Sequence, residues 1–108
     1  MSFVATKNKG FAMTFENGFG ISVQWGTMNY CEKKNLLAEC SEEMKTPRWE
    51  SRTAEIAIYK DKKFIDIGDD TVIGWLSPDE VAKVIEIVAT AHTDIEIQVK
   101  LEVEKIIK

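Results

Sequence analysis

A chain of 108 residues, 44% hydrophobic and 30% charged, has the size and composition of one globular domain with one core, and it is too apolar to be natively disordered. A formal charge of −4 argues against a duplex nucleic acid partner, since no net attraction to a phosphate backbone is available. No run of about 18 apolar residues offers a membrane helix, and the opening MSFVATKNKGF lacks the apolar centre of a secretory signal, so the expected location is the cytoplasm with no membrane partner.

Taken in chain order, the first pattern is a β-hairpin. Phe11, Met13 and Phe15 alternate with Ala12 and Thr14, and after Glu16-Asn17-Gly18 the alternation resumes as Phe19, Ile21, Val23 and Trp25. Gly18 closes the connection, because a three-residue hairpin loop needs a residue at positive φ. From Gly26 to Arg52 neither period persists, and the reading is mostly irregular, with a short helix over 34–45 suggested by Leu36, Leu37, Cys40 and Met44. Cys31 and Cys40 stand nine positions apart, which matches neither a CxxC redox pair nor a zinc knuckle, so both are read as reduced thiols.

Residues 53–59, TAEIAIY, predict a strand with Ala54, Ile56 and Ile58 on one side, and Lys60-Asp61-Lys62-Lys63 turns it into a second hairpin with Phe64-Ile65-Asp66-Ile67. Gly68-Asp69-Asp70 breaks that strand, and 71–76 supplies another. Ser77-Pro78-Asp79-Glu80 then combines a serine N-cap, a proline at the first helical position and a glutamate that closes a capping box. Val81, Val84, Ile85 and Val88 continue it as the apolar stripe of a helix over 78–91, and His92 would fall at its end, facing the negative pole of the dipole. The tail from Asp94 alternates, with Ile95, Ile97, Val99, Leu101 and Val103 against Glu96, Gln98, Lys100, Glu102 and Glu104. It also places Ile95, Val99, Val103 and Ile107 four apart, but its period of two and its β-branched residues favour a strand over 94–108. A terminal strand is an edge, and an edge with an apolar face suits oligomerisation. The expected fold is α+β: a single domain over 1–108 with an antiparallel sheet of five or six strands and one main helix on one face.

Candidate chemistry divides into three sets. A lone histidine, no glycine-flanked serine and no second histidine leave hydrolase triads and histidine metal sites without their parts. Asp66, Asp69 and Asp70 around Gly68 are explained by turn formation, so neither a metal nor another cofactor is expected, and the chain reads as a binder and not an enzyme. Trp25, Thr27, Asn29 and Tyr30, with Arg48, Trp49 and Arg52, form the third set. Aromatic faces stack on bases, guanidinium forks pair with phosphates, and hydroxyl or amide groups read base edges. The same residues also fit a bland role, with the tryptophans capping the core and the arginines paired to Glu50 and Glu55.

FENGFGISVQWGTMNYC, AEIAIY, GDDTVIGW and LSPDEV together resemble a family of small bacteriophage-encoded proteins over residues 11–88. That family is in turn similar to phage proteins that sequester nucleotide immune signals, including anti-CBASS sponges that bind cyclic dinucleotides within an oligomer. The resemblance implies a homo-oligomeric, non-catalytic binder of a small cyclic nucleotide. Met28 stands where the family pattern often has glycine or proline, and the family does not require the long terminal segment. Two rivals remain: a phage inhibitor whose aromatics and arginines form a hot spot on a host protein, and a nucleotide-degrading enzyme using Asp69 or Asp70 with a metal.

Overall fold

The computed structural model describes residues 1–6, 10–25, 50–68, 70–92 and 96–106. It is an α+β fold in which an antiparallel six-stranded sheet carries helices on one face. The strands are β1 (Ser2–Thr6), β2 (Gly10–Thr14), β3 (Phe19–Gln24), β4 (Ala54–Lys60), β5 (Lys63–Ile65) and β6 (Val72–Leu76), followed by helices α1 (Pro78–Thr90) and α2 (Glu96–Ile106). Period-two alternation explains the sheet's inner face. Met13 pairs with Ile21 and Ile21 with Ile58, while Phe11 pairs with Val23 and Val23 with Ile56, so each strand adds its apolar set to one side. Phe19, Ile21, Ile56 and Ile58 are fully buried there. Such burial contributes about 1.5–3 kcal/mol per side chain.

The two tight turns are built differently. Gly18 at φ 88° closes the β2–β3 loop, its N–H donating to the Phe15 carbonyl at 3.1 Å. The β4–β5 turn has no glycine, although Asp61 (φ 51°) and Lys62 (φ 71°) are both left-handed, as a type I′ turn requires. Lys62→Gly should therefore raise stability by about 0.5–1 kcal/mol, read as a higher urea midpoint with an unchanged slope. On the sheet's outer face Gly20 is a close approach: a Cβ there would lie 2.2 Å from the Tyr59 ring. The ring crosses the bare backbone, and its hydroxyl donates to the Met13 carbonyl at 3.2 Å.

β5 and β6 share one edge of β4. Ile58 pairs with Ile65, yet the preceding residue Ala57 pairs with Val72, so β5 and β6 form a single interrupted edge, and Ile67 and Asp70 bridge to each other apart from it. Asp70 serves this excursion as a turn residue, its Oδ1 accepting the Val72 N–H at 3.3 Å. β6 then slips register between Ala54 and Ile56, and within the bulge Trp75 takes φ 62°. The slip turns Leu76 into the core and leaves Trp75 more than half exposed.

The capping box forms as its sequence predicts. Ser77 Oγ accepts the Glu80 N–H at 3.2 Å, and Glu80 Oε1 accepts the Ser77 N–H at 2.9 Å. Val81, Val84 and Val88 bury the α1 stripe, which packs on β3 and β4. The other end of α1 has neither a glycine stop nor a basic last turn. Asn17 in the first hairpin loop ends it instead: its Nδ2 donates to the carbonyls of Val88 (2.9 Å) and Ala91 (2.7 Å), while its Oδ1 accepts the Phe19 N–H at 3.0 Å. One side chain thus fastens the hairpin to the helix. Asn17→Ala is expected to cost about 2 kcal/mol, measured by chemical denaturation, because it strands partly buried carbonyls. The helix ends at Thr90 with Ala91 as its cap, so His92 lies beyond it and is exposed.

The tail is a correction. Residues 94–108, read from sequence as a terminal strand, contain the helix α2 over Glu96–Ile106. Val99 and Val103, four apart, are buried as α2 packs against α1, whereas Ile97 (72% exposed) and Leu101 (55%) face solvent, which a strand face shared by all four would forbid. Six of its other seven residues, all but Ile106, are good helix formers, and Gln98 Nε2 reaches Glu102 Oε1 one turn on at 3.3 Å. Glu104 Oε2 accepts the Gly68 N–H at 2.9 Å, tying α2 to the excursion. Packing against α1 outweighs the modest helix penalty of the β-branched residues. The sixth strand is found at the other end, where Ser2–Thr6 pairs with β2. With the tail a helix, its proposed role as an oligomerising strand falls away.

Candidate functional site

At one end of the sheet β3 leaves, β4 enters, and β6 hands over to α1. These transitions border an open cavity of about 450 Å³. Its floor is apolar: Val23 of β3, Ala54 of β4, Leu76 of β6, and Val81 and Ile85 of α1. The rim is polar, formed by residues 50–53 with Trp25 beside them. The volume lies within the usual range for a small-molecule site, and the division into an apolar floor with a few polar rim groups is the usual chemistry of one.

Local geometry sets each rim group. Trp25 directly follows β3, where Gln24 pairs with Glu55, so the indole stands next to the entry of β4. Its ring meets Phe11 edge-on, with centroids 6.3 Å apart and planes at 72°. It therefore caps the core edge and lines the cavity at once. Ser51 Oγ donates to the Thr53 carbonyl at 2.6 Å, holding 51–53 in a tight bend that presents exposed Arg52 at its tip. Leu76, on the floor, follows directly on the left-handed Trp75. A large side chain at such a φ costs on the order of 1–2 kcal/mol, and strain of this kind gathers at sites where geometry matters.

Charge at the cavity is sparse. Arg52 is the one cation among the described lining residues, and Glu50 shares its rim. The start of α1 adds little attraction for anions. Pro78 has no N–H, the Glu80 and Ser77 N–H groups are occupied by the capping box, and Asp79 and Glu80 bring negative charge to the first turn.

Of the candidate binding residues, Trp25 and Arg52 meet on this cavity. Thr27, Asn29, Tyr30, Arg48 and Trp49 lie outside the described residues, as do Cys31, Cys40, Asp69 and the short helix over 34–45. The described flanks of the 26–49 segment, Trp25 and Glu50, both line the cavity. The apolar floor went unanticipated, although LSPDEV marked the helix start that supplies part of it. A polar cleft of about 210 Å³ between α1 and α2 holds His92, Gln98 and Glu102. Among the described residues no three potential metal ligands cluster, and no helix is long and apolar enough to cross a membrane. No protein-family model, curated protein or solved structure matches the chain.

Proposed function

We propose that this protein captures a small cyclic nucleotide in the cavity between β3, β4 and α1, without transforming it. One observation carries the reading: an indole and a guanidinium from segments far apart in sequence stand on the rim of one apolar-floored cavity. In this reading a base stacks on Trp25 or slides onto the floor of Val23, Leu76 and Ile85, and Arg52 pairs with a phosphate diester. Thr27, Asn29, Tyr30, Arg48 and Trp49, which lie outside the described residues, are proposed from their side-chain types alone as further ligand contacts. Charge favours a cyclic dinucleotide, with one negative charge per phosphate, over a nucleoside triphosphate, which Glu50 and the acidic first turn of α1 would oppose. Together with the phage-family resemblance, the reading is a phage-encoded, homo-oligomeric binder of a cyclic nucleotide immune signal, acting in the host cytoplasm against host defence.

Calorimetry with a panel of cyclic di- and trinucleotides tests it. One member should bind saturably, and at 100-fold excess over Kd it should stabilise the fold by about 2.7 kcal/mol, a melting shift on the order of 10 °C. ATP should compete poorly. The ligand should be recovered intact after denaturation, and a cleaved product would replace capture with catalysis. A panel without heat or melting shift removes the reading, and one host protein recovered stoichiometrically from bacterial lysate would replace it with inhibition by contact.

A further inference from the structure

The two outer edges of the sheet differ. The β5–β6 edge is guarded by the devices that keep sheet edges from pairing: the interruption between Ile65 and Val72, the Trp75 bulge, charged Lys63, Asp66 and Asp70, and the Glu104 contact from α2. At the opposite edge β1 pairs only with β2 among the described residues, and its sequence SFVAT contains no charge, proline or bulge. Its inner-face residues are left uncovered, with Met1 81% and Phe3 84% exposed. Beside them a second apolar cavity of about 430 Å³ runs along Met13, Phe15 and Ala89, at the end of the sheet away from Trp25 and Arg52. Backbone donors and acceptors that no other described strand pairs, next to an exposed apolar face, are what an added strand requires.

We infer that β1 is the docking edge for β1 of a second copy of this chain, paired antiparallel about a two-fold axis to make one continuous sheet of both molecules. The strand fits itself. With the axis through Phe3, the two Phe3 rings stand opposite one another as an aromatic pair, flanked by Met1 facing Ala5 and Ser2 facing Val4. The side chains of the shared strand are all uncharged, so two chains of net charge −4 meet there without like-charged side chains opposing one another. The pairing puts the candidate nucleotide cavities at opposite ends of the joined sheet. Dimerisation and ligand capture are therefore separate claims, and either can fail alone.

The test is the solution mass of the full chain by light scattering at tens of micromolar. Twice the protomer mass of 12.3 kDa is expected, falling to one protomer in Phe3→Lys with an unchanged circular dichroism spectrum, since Phe3 is exposed within the protomer, and with the concentration dependence of melting lost. A Phe3→Cys variant in a Cys31→Ser, Cys40→Ser background keeps the inference testable should Phe3→Lys misfold. It should crosslink to a covalent dimer under mild oxidation, whereas Leu101→Cys in the same background should not. A wild type of one protomer mass, a dimer that persists in a folded Phe3→Lys, or a Phe3→Cys that stays uncrosslinked overturns the inference.

Discussion

Removing the indole and the guanidinium together, in Trp25→Ala/Arg52→Ala, is expected to weaken the proposed capture of a cyclic nucleotide by about two to three orders of magnitude. A base stacked on an aromatic ring contributes about 1–3 kcal/mol, and a charge-assisted bond to phosphate about 1.5–3 kcal/mol, with each 1.4 kcal/mol worth tenfold. Arg52 is exposed, so its share lies at the lower end, and Arg52→Ala alone should weaken binding about tenfold with little change in melting. Trp25→Ala should also lower stability, because the ring packs on Phe11. Trp25→Phe separates the two effects by keeping an aromatic face. Calorimetry gives the affinity and thermal melting gives the fold. Full affinity in a folded double variant would place the ligand elsewhere.

The largest expected stability effect falls on the tail. Val103→Asp should cost about 4 kcal/mol or more, because it buries an unpaired carboxylate in a fully enclosed position between α2 and the rest of the core. Leu101→Asp, two residues away and half exposed, should stay within about 0.5 kcal/mol of wild type. The contrast is the point. In a strand, Leu101 and Val103 would share a face and respond alike, whereas in α2 they point in different directions. Urea unfolding of the two variants decides it, and equal losses would contradict the helix.

The hairpins and the start of α1 were legible in the sequence because their signals are local. Phe11 to Trp25 alternates without a rival period, Gly18 sits where the loop needs positive φ, and Ser77 to Glu80 carries both halves of a reciprocal cap. The tail was not legible for the opposite reason. Val99 and Val103 satisfy a period of two and a spacing of four equally, and what decides between them is the flank of α1, which no local window contains. β1 escaped for a similar reason: five residues become a strand only through pairing with β2. Only part of the cavity's lining was legible. Trp25 and Arg52 stand out by residue type, but the floor beneath them is assembled by Val23, Leu76 and Ile85 from three separate elements, and a register slip beside Trp75 is needed to turn Leu76 inward.

The most direct measurement is photocrosslinking of the wild-type protein with an azido-substituted cyclic dinucleotide, followed by peptide mapping. Adducts should concentrate on the peptides that carry Trp25 and residues 50–53, and excess unlabelled ligand should suppress them. Labelling confined to β1 or α2, or labelling that competitor leaves unchanged, would contradict a nucleotide site on this cavity.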